Sequence, residues 1–163
     1  MKTLLLMRHA KSDWSDTSLS DFDRPLNERG MRAAPFIGAL LRRESLVPDH
    51  VVASPALRAR ETTELVVTSA KLDLEISFNH HIYEASVGML LDVVASINTG
   101  PNCLLLVGHN PGIENLIRHL TNEITPMPTA AIAVIELDVD EWRDVHDVHA
   151  QLSRVFIPRE LMK

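Results

Sequence analysis

Three short apolar runs, each followed at once by polar or charged residues, limit most strongly how this chain folds. The runs cover residues 3–7, 50–53 and 103–107. Runs of this length are typical of buried strands, and the carboxyl ends of parallel strands lie at one edge of a sheet. That edge is where open α/β sheets bind ligands. Two arginines and two histidines are therefore predicted at one rim: Arg8, His9, Arg58 and His109.

Strand-like and helical segments alternate through the first 120 residues. This alternation favours a mostly parallel sheet with helices on both faces. We therefore expect one domain over residues 1–163, a three-layer α/β/α sandwich whose last two strands are antiparallel additions. The first predicted helix begins at Asn27, and the others span residues 54–70, 86–97 and 110–120. The remaining predicted strands span residues 75–83, 129–139 and 152–157.

Local signals set several of these boundaries. Asn27, Ser54 and Asn110 are predicted N-caps, and the last two precede a proline, which the first turn of a helix tolerates. Pro35 falls inside the first helix, where it removes a hydrogen bond, so a kink or a break is expected near residues 31–34. Polar, turn-rich composition predicts surface loops over residues 10–26, beside the rim, and over residues 140–147.

Composition excludes some classes of function. The hydrophobic fraction is 45% and the charged fraction 23%, as in ordinary globular proteins. A net charge of −6 argues against a general nucleic-acid binder, although a local cationic pocket stays open. No apolar run approaches the length of a membrane span. Cys103 is the only cysteine and lies in an apolar run, so we expect a small buried side chain and a reducing, cytoplasmic location.

The residues at the rim are suited to phosphoryl chemistry. Arg8 and Arg58 offer permanent, forked donors that match the oxygens of a dianionic phosphoryl group. Nearby guanidinium charges disfavour the imidazolium form, which keeps a histidine such as His9 available as a covalent nucleophile toward phosphorus. The leaving group needs a proton. Glu84, at the end of the strand predicted over residues 75–83, is placed to donate it.

Metal binding is the competing chemistry for histidine. His9 and His109 lie beside arginines, whose charge repels a cation. His80 and His81 are adjacent on a predicted strand and would point to opposite faces. We therefore expect no catalytic metal and no other cofactor.

Four ordered motifs resemble the histidine phosphatase superfamily. Residues 6–12 (LMRHAKS), 54–62 (SPALRARET) and 108–111 (GHNP) are similar to its three signature segments. Residues 24–30 (RPLNERG) resemble the segment that follows the first motif in small SixA-type phosphohistidine phosphatases. The likeness implies a metal-independent phosphatase with a phosphohistidine intermediate on His9.

The same resemblance assigns roles at the rim. Arg8, Arg58 and His109 would hold the phosphoryl oxygens, and Glu84 would be the proton donor. The donor varies across the superfamily, so three other carboxyl groups stay open as alternatives, namely Asp13, Asp16 and Asp21. Three further residues are candidate substrate contacts: Arg24, Ser12 and Asn110.

The spacing between Glu84 and His109 bears on the substrate. The interval fits one helix and one strand and leaves no room for the helical cap that larger superfamily members insert there. An open site suits phosphohistidine on a protein such as a histidine phosphotransfer domain, which would connect the chain to signal transduction. A small phosphomonoester as substrate and a phosphate-recognising module without turnover stay open as alternatives, and the oligomeric state is left undecided.

Overall fold

The computed structural model describes residues 1–162 and contains one six-stranded sheet; Lys163, the last residue of the predicted domain, lies outside the described residues. The strands are β1 (Lys2–Arg8), β2 (His50–Ala53), β3 (Ser77–Phe78), β4 (Cys103–Gly108), β5 (Ile132–Leu137) and β6 (Ala150–Phe156). The helices are α1 (Glu28–Arg43), α2 (Leu57–Ser69), α3 (Val87–Ala95), α4 (Gly112–Thr121) and α5 (Pro158–Leu161). The strand order is β3-β2-β4-β1-β5-β6.

The sheet has a parallel and an antiparallel part. β3, β2, β4 and β1 are parallel, and β5 and β6 are antiparallel additions, which confirms the predicted fold class. Arg8 lies opposite Gly108, and Ala53 lies opposite Val107, so the three predicted strand ends are level. β4 separates β1 from β2, and Arg58 therefore has to reach past one strand to meet His9.

Both faces of the sheet are buried. Along β1, Leu4 and Leu6 pack on the side of α3 and α4, while Leu5 and Met7 pack on the side of α1 and α2. Each of these four side chains is fully buried. A parallel strand covered on both faces is apolar throughout, and this is why residues 3–7 show no alternation.

Helix α1 runs unbroken through Pro35, so the predicted break is wrong, and the alternative of a kink stays a prediction. A proline in this position costs about 3 kcal/mol in an isolated helix, and packing against α2 compensates for that cost. A Cβ at Gly38 would meet the Val66 carbonyl oxygen at 2.5 Å, which shows how closely the two helices approach. Ser69 on α2 also donates a hydrogen bond to the Pro35 carbonyl.

Two helix starts differ from the prediction and two agree with it. Asn27 and Ser86 accept hydrogen bonds from the backbone N–H groups of Gly30 and Met89, as N-caps do. The Ser54 cap is wrong, since α2 begins three residues later at Leu57. The predicted cap at Asn110 is also wrong, because Pro111 occupies that position before α4.

Two segments form 3₁₀ helices where the sequence predicts a strand or a loop. The predicted strand over residues 75–83 is reduced to Ser77–Phe78, followed by a 3₁₀ helix over His80–Ile82. The exposed loop predicted over residues 140–147 is wrong as well. Trp142–Asp147 forms a 3₁₀ helix that packs against α3 and buries Trp142 and Val145. Within residues 1–162, no helix has the length and apolarity needed to cross a bilayer.

Candidate active site

His9 directly follows β1 and is held at both ring nitrogens. Its backbone N–H donates to the Gly108 carbonyl at 3.0 Å, which fixes the residue at the carboxyl edge of the sheet. Nδ1 lies 2.7 Å from the Ala10 carbonyl oxygen, an acceptor, so Nδ1 carries the proton. Arg58 Nε donates to His9 Nε2 at 3.3 Å. The Nε2 lone pair therefore faces the guanidinium of Arg58.

Burial determines the charge of His9. Only 7% of the residue is exposed, and this burial is the main reason why the pKa of His9 is lowered to about 3. The hydrogen bond with Ala10 acts in the opposite direction, and His109, Arg58 and Arg8 act in the same direction as burial. His9 is consequently neutral at physiological pH, as the sequence predicts from its arginine neighbours.

His109 faces His9 across the rim, with ring centroids 5.1 Å apart. Arg58 Nη2 lies 3.4 Å from His109 Nδ1, and His109 Nε2 lies 2.7 Å from the hydroxyl oxygen of Ser54. Since Arg58 has only donors, Nδ1 accepts and Nε2–H donates to Ser54. Burial and the charge of Arg58 lower the pKa of His109 to about 4.

Arg58 lies between the two histidines and is buried. Two further guanidinium hydrogens bind Asp21, with Nη1 donating to the backbone carbonyl at 2.6 Å and Nη2 to the carboxylate at 3.0 Å. Thr62 fixes the helix that carries Arg58 by accepting a hydrogen bond from the backbone N–H of Ala10. An incoming phosphoryl group would therefore have to compete with the Asp21 carboxylate for Arg58.

Asp21 also receives hydrogen bonds from two other side chains. The Tyr83 hydroxyl donates at 2.6 Å and Arg24 Nη2 at 2.8 Å. Burial by itself would raise the pKa of Asp21, but these bonds and the bond from Arg58 outweigh it and hold the pKa well below its usual range. Burial and Asp21 raise the pKa of Tyr83 to about 12. The Asp21 carboxylate is thus ionised, which makes it a poor proton donor.

The other predicted substrate contacts support this network. Arg24 is buried, donates to the Ser12 hydroxyl and stacks under the exposed ring of Trp14, 3.5 Å from the ring centroid. Asn110 donates to the Met127 carbonyl at 2.9 Å and to Glu114. Ser12 and Arg24 thereby anchor the loop that carries Asp21, and their predicted contact with substrate stays a prediction.

Arg8 points away from Asp21. Its Nη1 donates to the Met127 carbonyl at 3.1 Å, and its buried Nε has no hydrogen-bond partner among the described residues. Its charge nevertheless lowers the pKa values of both His9 and His109. Arg8 therefore lies at the rim, and a single hydrogen bond from Nη1 holds its guanidinium group among the described residues.

Glu84 lies at the mouth of a cavity of about 500 Å³, which we call the rim pocket. Asp21, Arg58, Tyr83 and His109 also line it. The side chain of Glu84 is exposed, and its backbone is left-handed, with φ of 52°. Such a backbone is costly for a residue with a side chain and is often found at functional sites. The rim pocket brings together Arg58, His109 and Glu84 next to His9.

No group of three or more His, Cys, Asp or Glu side chains within residues 1–162 is arranged to hold a metal ion. His80 and His81, the two histidines considered above as ligands away from the rim, belong to no such group. His146 lies 2.9 Å from Asp92 and belongs to none either.

Two polar residues at the rim escaped the sequence analysis. Ser54 was interpreted as a helix cap, but its hydroxyl contacts His109. Tyr83 was assigned to a strand, but its hydroxyl binds Asp21, and its ring contacts that of His109 edge-on at 5.4 Å. Ser54 directly follows one predicted strand and Tyr83 ends another, and that position at a strand end is the signal that could have identified them.

Comparison with known proteins places this geometry in a family. The model of the histidine phosphatase superfamily (branch 1) matches residues 4–93. An uncharacterized protein of Mycobacterium tuberculosis is 31% identical over 94% of this chain and 100% of its own length.

Two solved structures share the fold over almost their whole length. The proposed phosphohistidine phosphatase SixA of Nakamurella multipartitia has a TM-score of 0.85 and 28% identity, covering 96% of each chain. The corresponding SixA protein of Agrobacterium tumefaciens has a TM-score of 0.83 and 27% identity, covering 96% of this chain and 98% of its own. With the ordered motifs and the rim geometry, these matches show that the chain belongs to the histidine phosphatase superfamily.

Proposed function

We propose that this protein is a phosphatase that forms a covalent phosphohistidine on His9 and removes phosphate from phosphohistidine on another protein. The observation that carries the proposal is the state of His9. It is neutral, its Nδ1–H is bound to the Ala10 carbonyl, and its Nε2 lone pair faces Arg58. A module that only binds phosphate has no need of a neutral, oriented imidazole.

The first step is attack of His9 Nε2 on the phosphorus. A bond forms between Nε2 and phosphorus while the bond from phosphorus to the leaving nitrogen or oxygen breaks. For this step Arg58 releases both His9 Nε2, whose lone pair attacks, and the Asp21 carboxylate, and it binds the phosphoryl group instead. Arg58 and Arg8 then stabilise the negative oxygens. The bound phosphate dianion raises the pKa of His109, which takes up a proton from solvent at Nδ1 once Arg58 has turned to the phosphoryl group. Nδ1–H then donates to a phosphoryl oxygen, while Nε2–H stays bound to Ser54.

Glu84 supplies the proton that the leaving group needs. The donated proton neutralises the departing imidazole or alkoxide, and the Glu84 carboxylate then takes a proton from the water that attacks the phosphohistidine. This second attack breaks the bond between phosphorus and Nε2, releases inorganic phosphate and restores neutral His9. Glu84 is favoured over Asp21 for this role because it lines the rim pocket and its carboxyl group has no hydrogen bond or ion pair within residues 1–162. The Asp21 carboxylate, by contrast, is held in its ionised form by Tyr83, Arg24 and Arg58.

The absence of a cap supports a protein substrate. Within the described residues, α3 and β4 are the only regular elements between Glu84 and His109, and α3 packs in the core rather than over the rim. The SixA proteins of similar fold are named as phosphohistidine phosphatases. A phosphohistidine on a phosphotransfer domain is therefore the proposed substrate, with cytoplasmic signal transduction as its setting.

The test compares phosphate release from a phosphorylated histidine phosphotransfer protein and from p-nitrophenyl phosphate. Wild type, His9→Ala and the exposed-site control His119→Ala are measured side by side. We expect release from the phosphotransfer protein by wild type and by the control, and a loss of about 10⁴-fold or more in His9→Ala.

The other outcomes distinguish the alternatives. Hydrolysis of p-nitrophenyl phosphate alone would replace the protein substrate with a small phosphomonoester. Binding of phosphoprotein without hydrolysis of either compound would make the chain a phosphate-recognising module.

A further inference from the structure

A second cationic region lies next to the rim pocket, on the far side of Arg8. It is a groove of about 560 Å³ whose charged lining consists of Arg8, Lys11, Arg29, Arg32 and Arg159. We call it the basic groove. The mechanism uses Arg8 but none of the other four residues.

The fold brings these cations together from three elements. Gly30, in the first turn of α1, allows the backbone of Lys11 to approach so closely that a Cβ would meet the Lys11 carbonyl oxygen at 2.3 Å. That contact sets Lys11 beside Arg29 and Arg32. Helix α5, which carries Arg159, packs against α1 and completes the groove.

The positive charges of the basic groove are opposite in sign to the net charge of the chain, and the dipole of α1 disfavours two of them. The chain carries a net charge of −6, yet no acidic residue lines this groove. Arg29 and Arg32 lie near the N-terminus of α1, where cations are unfavourable, and their i, i+3 spacing adds repulsion. Among residues 1–162, no salt bridge involves Lys11, Arg29, Arg32 or Arg159. An arrangement that costs stability in the free protein suits an anionic ligand.

The form of the groove favours an extended acidic surface over a single compact anion. Lys11, Arg29, Arg32 and Arg159 are all exposed, and only Arg8 is partly buried. A site for one phosphate gathers forked or backbone donors around a point. Here four long, flexible side chains distribute positive charge along a surface, which is typical of electrostatic steering between proteins.

We propose that the basic groove docks an acidic segment of the phosphorylated protein while its phosphoryl group occupies the rim pocket. The proposal rests on the proposed function, and Arg8 joins the two regions because it borders the groove and adjoins His9. Docking beside the nucleophile would give an open site its selectivity for acidic partners.

The test uses two labelled peptides of identical length, one with four consecutive glutamates and one with four serines in their place. Fluorescence anisotropy measures binding of the unphosphorylated peptides, and phosphate release measures turnover of their phosphohistidine forms. The variants are R29A/R32A/R159A, the charge-retaining R29K/R32K/R159K, and R43A/R118A/R143A, a control that loses three exposed arginines elsewhere.

We expect the acidic peptide to bind wild type, the lysine variant and the control alike. The groove alanine variant should bind it about tenfold more weakly, and raising salt from 50 to 200 mM should weaken binding to wild type. Turnover of p-nitrophenyl phosphate should be unchanged in every variant.

Equal binding of the two peptides, or equal losses in the groove variant and the control, would overturn the proposal. So would groove-dependent binding of pyrophosphate without binding of the acidic peptide, because it would identify a small-anion site. If the acidic peptide binds through the groove but no phosphohistidine peptide is hydrolysed, docking stands and the proposed function fails.

Discussion

The rim pocket and the basic groove are both built on arginine, but they hold it in opposite ways. Arg58 in the rim pocket is buried, and its donors are committed to His9, His109 and Asp21. In the groove, Arg29, Arg32 and Arg159 are exposed and form no salt bridge within residues 1–162. Fixed donors can stabilise a defined transition state, whereas flexible ones can only attract an anionic surface.

Substitution of Arg58 should have the largest effect among the arginines. Arg58→Lys keeps the charge but loses the fork that contacts both histidines, so kcat/KM should fall about 10²- to 10³-fold on every substrate. Steady-state assays on a phosphohistidine protein and on p-nitrophenyl phosphate measure this. Arg32→Lys is the control and should change neither. A loss below about fivefold in Arg58→Lys would show that charge alone suffices in the pocket.

Glu84→Gln should separate the substrates of the rim pocket. With a phosphohistidine or alkyl phosphate, whose leaving group needs a proton, kcat should fall about 10²-fold. With p-nitrophenyl phosphate the rate of the initial p-nitrophenolate burst should change little, because p-nitrophenolate leaves without protonation. The later hydrolysis of the phosphohistidine should slow on every substrate, because it uses the Glu84 carboxylate as base. Glu123→Gln, at an exposed position, is the control. Equal losses in the rate of phosphorylation on both substrates would assign Glu84 to binding instead.

The pKa of His9 should depend on the arginine of the rim pocket and not on those of the basic groove. Because the pKa of His9 is about 3, its ring should remain neutral, as the Nδ1–H tautomer, at pH 5. An unperturbed histidine would be only about 3% neutral there, a difference of about 30-fold. Nitrogen-15 NMR of the histidine rings measures the tautomer and the titration directly. Arg58→Ala should raise this pKa and the groove variant should not; a wild-type midpoint near 6.5 would contradict the account.

The same shifts predict how acid affects stability. The unfolded chain takes up protons on His9 and His109 as pH falls below about 6.5, while the folded protein does not until about pH 4 and then pH 3. The free energy of unfolding should therefore decrease between pH 6.5 and pH 4. Urea unfolding at pH 7 and pH 5 measures it.

Ser54→Ala should have the smallest effect. The change removes two hydrogen bonds, one from His109 Nε2–H and one from the backbone N–H of Ala56, and loss of the first should lower activity about threefold to tenfold. Ser69→Ala is a matched control, because Ser69 donates one hydrogen bond to the Pro35 carbonyl at the end of α2 opposite to Arg58. It should lower stability by about 1 kcal/mol without lowering kcat. No change in activity in Ser54→Ala would mean that the backbone alone orients His109.

The sequence predicted the elements with strong local signals. Apolar runs identified β1, β2 and β4, and the residues directly after them, such as His9 and His109, came together as expected. The level ends of parallel strands make this inference reliable, since position along the chain then determines position in the sheet.

The remaining features depend on contacts between distant segments. Pro35 lies within an unbroken helix because α2 packs against it, and Trp142 is buried because α3 covers it. Ser54 has the local sequence signature of a helix cap, but its hydroxyl accepts a hydrogen bond from His109, which directly follows β4. The basic groove escaped prediction for the same reason, because Lys11, Arg29 and Arg159 are joined only by the packing of α1 and α5.

The central claim is that His9 carries the phosphoryl group during turnover. Wild type would be mixed with a phosphorylated histidine phosphotransfer protein, quenched within milliseconds and kept at neutral or alkaline pH, and its phosphorylated residue mapped by mass spectrometry. The account predicts a transient phosphate on His9 that appears as the donor loses it and decays as inorganic phosphate is released. Release of phosphate by wild type with no adduct on His9 at any time would contradict it.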